Sequence, residues 1–316
     1  MKLMKNKILT LLFISFSFSL EYSEYGFEIF YLPGDAKTQS LGGISAINSM
    51  SLVNLYSLNE FHTKGKTLLS YGRLYIDIID YFQFSHIIAN YDKSKIGISL
   101  LSKGISNIPN TQGAWEDIGA NISQNDIDYN QITNYKDKQF SLIFFYSYSN
   151  ARSGNLALKI KPIYTSLFSD KAYGISMDFG FNKKYTNKIR YGFIINDILS
   201  LYKWNNSQAY SIYPRLTSSF SYTLNKSSLY SEISISTDMK SSINPYKYKF
   251  GYEYLINDIL SVRSGYSNIK SFSIGIGFIY KDIEYSYSIN PNLNHIILGH
   301  DHQFSILLDL KKNKNR

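Results

Sequence analysis

The 316-residue chain contains no cysteine. A disulfide framework, a Cys-ligated zinc site and a thiol nucleophile are thereby excluded. Helical periodicity is almost absent as well, and after residue 20 no run of 18 apolar residues occurs, so no helix crosses a membrane. A basic face is also missing, despite a formal net charge of +9. Seven cations lie at the ends, Lys2, Lys5 and Lys7 before residue 20 and Lys311, Lys312, Lys314 and Arg316 in the last six residues; without them the body carries only +2. Nucleic acid is therefore not an expected partner.

What is abundant is tyrosine and phenylalanine, 29 and 20 residues, against two tryptophans. Residues 1–20, MKLMKNKILTLLFISFSFSL, read as a secretory signal peptide: three lysines, a short apolar run and closing serines. Cleavage is expected after Ser17 or Ser19, and with no cysteine following, a lipid anchor is excluded.

From residue 66 the chain alternates apolar and polar residues with period two. Phe272, Ile274, Ile276 and Phe278 alternate with Ser271, Ser273, Gly275 and Gly277; Tyr246, Tyr248, Phe250, Tyr252 and Tyr254 alternate with Lys247, Lys249, Gly251 and Glu253. Fourteen such segments are expected: 66–76, 80–90, 94–103, 138–149, 154–164, 172–182, 188–196, 214–224, 228–238, 246–255, 259–267, 271–280, 282–290 and 302–310. Most have the length of a tilted strand that crosses a bilayer, about 9–11 residues.

Connection lengths sort by parity. Even-to-odd connections such as 91–93, 150–153, 183–187, 225–227 and 256–258 are short, whereas 104–137, 197–213 and 291–301, all odd-to-even, are long. Short turns on one side and long loops on the other are a property of outer-membrane barrels. A soluble sandwich also alternates, but it has no cause to sort its loops. The expected fold is therefore all-β: a transmembrane antiparallel β-barrel of about 14 strands at residues 66–310, with a plug or periplasmic segment at 21–65 and a basic tail at 311–316. The last strand has no terminal aromatic, and KKNKNR follows it.

The polar phase supplies the expected lumen lining: Lys159, Lys161, Asp178, Arg190, Lys249, Glu253, Arg263 and Glu284, with Lys247 and Asp309. A Lys or Arg turned to lipid at mid-membrane would cost about 2–4 kcal/mol. No catalytic motif is found, so neither an enzyme nor a cofactor is expected. Gly299-His300-Asp301-His302 has a spacing that could hold a metal, but reads as an exposed polar loop leading into the last strand; His86, in the second strand, has no partner set by sequence. Acids at 116–128, Glu116, Asp117, Asp126 and Asp128, read as a solvated loop, which could present a docking surface together with 197–213.

Two stretches carry a resemblance. Asp35, Ala36, Lys37, Leu41, Gly42 and Gly43 fit an N-terminal small–Ala–basic…Leu-Gly-Gly pattern, followed by Asn54 where an Asn-Pro-Ala element would lie; Lys161, Ile163, Tyr164, Leu167, Gly174, Asp178 and Gly180 fit a mid-barrel pattern. Together they resemble the PorV/PorQ family, a branch of the FadL-like outer-membrane barrels. The resemblance implies a fourteen-strand barrel whose plug motif includes Gly42, Gly43 and Asn54. It also implies a scaffold role in protein secretion of the type IX kind, with exported proteins or secretion components as partners. FadL-like relatives imply the alternative, a channel or transporter for hydrophobic small molecules. Both place the chain in the outer membrane of a Gram-negative-type bacterium, in contact with its lipid.

Overall fold

The computed structural model describes residues 21–23, 26–45, 47, 66–75, 77–91, 93–111, 113–114, 128–150, 154–239, 245–269, 271–291 and 299–309. The expected signal peptide, the basic tail and Asn54 lie outside these residues.

Fourteen antiparallel strands close into a barrel: β1 Lys66–Leu74, β2 Ile79–Asn90, β3 Ser94–Asn110, β4 Thr133–Asn150, β5 Gly154–Leu167, β6 Asp170–Lys184, β7 Ile189–Trp204, β8 Arg215–Leu224, β9 Ser227–Ser236, β10 Tyr246–Leu255, β11 Leu260–Ser267, β12 Ser271–Tyr280, β13 Ile283–Asn290 and β14 Asp301–Asp309. Each strand pairs with its sequence neighbours, and β14 returns to β1 through the Ser305↔Ser70 register, which closes the sheet. Closure matters because a sheet edge in lipid would leave backbone groups without partners.

The barrel is inside-out relative to a water-soluble protein. Large apolar side chains are exposed on its outer wall, including Phe250, Tyr266, Phe272, Ile276 and Phe278. Serines and charges are buried on the inner wall, including Ser70, Ser85, Ser99, Ser219, Ser273 and Ser305. Such a surface is stable against hydrocarbon rather than water. Aromatic partners line up on the outside, with Phe250 opposite Tyr266 and Tyr266 opposite Phe272. A ten-residue strand such as β10 rises about 33 Å, or about 25 Å along the barrel axis at the usual tilt, the height of an outer-membrane apolar band.

The wall has two heights. Strands β3 to β7 have 17, 18, 14, 15 and 16 residues, whereas β8 to β14 have 8 to 10. The extra length lies at the long-loop end. It corrects the expected limits: β3 runs on to Asn110, β4 starts at Thr133 and β7 runs on to Trp204. The long connections shrink to 111–132 and 205–214 but keep their parity. Two irregularities hid the extensions. The β3–β4 register shifts between Ile105 and Ile108, with Asn107 left-handed at φ 58°. The β6–β7 register shifts between Met177 and Phe179, opposite Asp197 at φ 55°. A bulge breaks period-two alternation, which is the only signal a strand of this kind offers.

Candidate functional site

The described residues 26–45 lie inside the barrel. Helix α1, Ala36–Ser40, packs against β11 to β14. Asp35 caps it, accepting from Thr38 N at 2.8 Å and from the Thr38 hydroxyl at 2.7 Å. Inward serines and glutamines of the wall satisfy its exposed polar groups. Ala36 N donates to Ser305 Oγ at 2.9 Å, Ser288 Oγ donates to Gln39 Oε1 at 2.8 Å, and Gln303 Nε2 donates to Pro33 O at 3.0 Å. After α1 the chain turns at Gly42 and Gly43, both left-handed at φ 75° and 84°. A methyl group on Gly42 would lie 2.6 Å from the Tyr266 carbonyl oxygen, and one on Gly265 would lie 2.1 Å from Gly42 N. Backbone packs on backbone here, so both positions require glycine.

Among the described residues, two extended charge networks lie in the lumen, apart from a separate Lys103–Asp137 pair at 3.1 Å. The first lies on the tall wall. Lys161 Nζ is 2.6 Å from Asp178 Oδ1 and 2.9 Å from Asp197 Oδ1. Asp178 also accepts from Asp197 N at 2.9 Å, and Asp197 accepts from the Ser176 hydroxyl and, at 2.8 Å, from Tyr31 OH. Lys159 is buried beside them. The second lies on the short wall. Glu232 meets Lys249 Nζ at 2.6 Å, Ser219 Oγ at 2.8 Å and Ser45 N at 2.9 Å. Below it Glu253 is held by Arg263 at 2.8 Å and Lys37 at 3.3 Å, and Arg263 continues to Glu284 at 3.1 Å. Arg190 Nη1 reaches Ile47 O at 3.5 Å.

Of the eight residues named from phase, Lys161, Asp178, Arg190, Lys249, Glu253, Arg263 and Glu284 make these contacts, and Lys159 is buried beside Lys161. Reasoning from sequence missed Asp197, Tyr31, Glu232 and Arg215. Asp197 was read as loop because the bulge turns Asn196 and Asp197 out of phase.

Above the first network the lumen turns apolar. Phe27 and Ile29 pack among Leu74, Tyr81, Leu101, Ile143, Ile163 and Tyr202. Gly174 makes room, since a methyl group there would lie 2.6 Å from the Tyr202 ring and 2.8 Å from Phe27. The mid-barrel motif residues Lys161, Gly174 and Asp178 thus serve the seating of the N-terminal segment.

The wall is interrupted between β7 and β8. Their ladder stops at Asn196↔Arg215. Beyond it a three-residue strand, Tyr210–Ile212, continues beside β7 at Tyr202↔Tyr210, and Glu21–Ser23 pairs with it in parallel. Tyr213 and Pro214 separate this piece from β8; Pro214 has no amide to give the ladder. At the break lies a cavity of about 290 Å³, lined by Ile175, Met177, Ile198, Leu199, Leu201 and Ile212 among others. Ile175, Ile198 and Leu201 are exposed on the outer wall, while Asp197 and Ser176 bound the same cavity from inside.

Around the rims the structure bears on three other expectations. Asp301 is buried and accepts from Tyr75 N at 2.8 Å, so it is not part of an exposed loop; His302 Nδ1 is 2.7 Å from Tyr287 OH. Among the described residues no group of three potential metal ligands forms. Residues 115–127 lie outside the described set. Asp128, beside them, accepts from Asn130 N at 3.0 Å, and this hydrogen bond with that of Gln131 lowers its carboxyl pKa.

No protein-family profile matches the chain, and no curated protein matches it by sequence. Solved structures do match in fold. The toluene transporter TodX of P. putida has a TM-score of 0.62 at 11% identity, covering 88% of this chain and 99% of its own. The Ralstonia pickettii toluene transporter TbuX has a TM-score of 0.60 at 10% identity, covering 89% and 100%. A Pseudomonas aeruginosa FadL homologue has a TM-score of 0.51 at 11% identity, covering 89% and 98%. The fold is therefore that of the FadL-type outer-membrane channels. The secretion role implied by the PorV/PorQ resemblance gains no support from these neighbours, two of which are described as toluene transporters.

Proposed function

We propose that the chain is an outer-membrane channel or transporter for hydrophobic small molecules. Its long loops would face outward and its short turns the periplasm. The observation that carries this reading is the apolar cavity at the β7–β8 break. It lies where the buried lumen and the lipid-facing wall meet, so a molecule resting in it touches both. An apolar cavity of about 150 Å³ suffices for benzene, and this one is nearly twice as large at about 290 Å³. The fold it shares with two toluene transporters fits the same reading. No catalysis is assigned.

The secretion role is not favoured by any contact. The residues that carry the resemblance, Gly42, Gly43, Lys161, Gly174 and Asp178, are spent on seating the N-terminal segment, which a channel and a scaffold need alike.

The test is uptake of radiolabelled toluene across vesicles whose outer leaflet is lipopolysaccharide, with and without the protein. Uptake should be faster with it, and Met177→Trp, which fills the cavity, should slow it. Native mass spectrometry of the extracted protein separates the alternative. An uptake rate no greater than that of empty vesicles, together with a co-extracted secretion component, would replace the channel by the scaffold.

A further inference from the structure

The tall wall carries a second feature, on its outer side. Near the long-loop end, Lys136 and Lys138 of β4, Lys171 of β6 and Lys203 of β7 are exposed and share the outward phase. Strand pairing gathers them. Lys138, Ser166 and Lys171 lie side by side on three successive strands, so the backbones of the two lysines stand about 10 Å apart. Lys203 is opposite Tyr173, the next outward residue after Lys171, which makes the two lysines diagonal neighbours at about 7–8 Å. Lys136 lies about 7 Å from Lys138 along the same strand.

Toward the short turns the outward residues become aromatic. Phe140, Tyr164 and Tyr173 are register partners in one row, and the two tyrosine rings are 5.2 Å apart. An aromatic row of this kind marks the level where hydrocarbon gives way to headgroups. The lysines, one outward position further on, therefore stand at headgroup level. No carboxylate answers them on the outer face. Asp137 and Asp170 share the phase of buried Gln139 and Ala172, and Asp137 is 3.1 Å from Lys103. Among the described residues none of these four lysines has an ion pair. Elsewhere on the outer wall a cation is matched: Arg73 lies 3.3 Å from Asp77 and 3.5 Å from Asp80. On β8 and on β10 to β12 the outward residues nearest the long-loop end are Leu216, Tyr246, Tyr266 and Phe272. The unmatched cations thus belong to the tall wall.

We infer that this patch docks the phosphate groups of the outer-leaflet lipid, lipopolysaccharide, with the aromatic row against its acyl chains. Charge complementarity and depth both favour that occupant. Lysine stems lie along apolar surface while their ammonium groups reach outward, and clustered cations at a membrane surface hold phosphorylated headgroups. The patch also borders the wall cavity. Leu201 and Ile175, in the lining of that cavity, are the next outward residues after Lys203 and Tyr173 on the membrane side. A lipid held here lays its acyl chains across the outer mouth of the cavity. The identity of the lipid rests on the long loops facing outward, as proposed above. Hydrocarbon transport is not required: lipid binding in detergent and toluene uptake are separate measurements, and either can fail alone.

The test is titration of the full-length protein in a non-ionic detergent with lipid A, with lipid A stripped of its phosphates, and with inorganic phosphate, read by native mass spectrometry. Lipid A should bind, and the phosphate-free lipid should bind more weakly. The triple variant Lys138→Gln, Lys171→Gln, Lys203→Gln should weaken lipid A binding by about tenfold, through lost charge-assisted contacts. These side chains are exposed, so the variant is expected to fold, which heat-dependent gel mobility would verify; Lys171→Gln alone decides the matter if the triple variant does not assemble. A matched triple variant of exposed lysines at the short-turn end, Lys93→Gln, Lys184→Gln, Lys188→Gln, should leave binding unchanged. Equal binding of the phosphate-free lipid, equal effects of the two triple variants, or inorganic phosphate bound as tightly as lipid A would each overturn the inference.

Discussion

The tall wall, β3 to β7, and the short wall, β8 to β14, solve the same problem differently. Both seat the N-terminal segment. The short wall does it with polar side chains at nearly every inward position, so that α1 is hydrogen-bonded to Ser288, Gln303 and Ser305. The tall wall does it with one buried charge cluster and, above it, an apolar layer around Phe27 and Tyr202. Polar pairing is local and can be lost one contact at a time. The Lys161 cluster cannot, because two carboxylates share one ammonium in a sealed place.

That difference is open to measurement. Lys161→Met should have the largest effect, since it removes the ammonium that holds both Asp178 and Asp197 and leaves only Lys159 beside them; breaking a buried ion pair costs about 3–5 kcal/mol. Lys249→Met should cost less, because Glu232 keeps Ser219 Oγ and Ser45 N. Urea midpoints of the folded, gel-mobile barrel would report both, and equal losses would erase the contrast between the walls. Next in size is Ile276→Arg on the lipid face, expected to cost about 2–4 kcal/mol. Its lumen counterpart is Ser267→Lys, which opens on an inner cavity of about 300 Å³ beside Glu232 and Lys249; Ser273 is a poor control because its hydroxyl bonds Ser40 O at 3.2 Å. If membrane insertion tolerated both equally, the assigned inward and outward phases would be wrong. The smallest effect is expected at Lys66→Ala, which removes a 3.8 Å pair with Asp309 at the turn end. Such a partly exposed pair contributes about 0–1 kcal/mol, and a larger shift in midpoint would mean that the ends of the barrel, not its lumen, set its stability.

The contrast also explains what the sequence could tell. On the short wall every strand alternates cleanly, and β8 to β14 were legible to within about two residues. Tyr246 to Tyr254 is the clearest case, outward aromatics with Lys247, Lys249 and Glu253 inward. On the tall wall the alternation fails twice, at Asn107 and Asp197, because a bulge shifts phase. The inward residues there also become apolar, as at Leu101, Ile143 and Tyr202, so polarity no longer marks the lumen. Eight lumen candidates were named from phase alone, while Asp197, Glu232 and Arg215 were passed over. The partners of the eight were not legible: Lys161 meets Asp197 across 36 residues, Lys249 meets Glu232 from a neighbouring strand, and Glu253 meets Lys37 from the N-terminal segment. Such pairings are fixed by closure of the barrel and by the position of α1, neither of which appears in local spacing.

The central claim is that the N-terminal segment occupies the lumen of a closed barrel. The most direct measurement is a disulfide cross-link. The protein has no native cysteine, so Leu41→Cys with Gly251→Cys introduces the only pair. The Cβ of residue 251 would lie 3.1 Å from that of Leu41, a few tenths of an ångström inside the usual disulfide spacing of about 3.5–4.5 Å. Mild oxidation in intact membranes should link the two, seen as a joined peptide in a digest, while Leu41→Cys with Tyr252→Cys, one residue on and facing lipid, should stay unlinked. Free reaction of Cys at 41 with a water-soluble maleimide, and no joined peptide, would contradict the account.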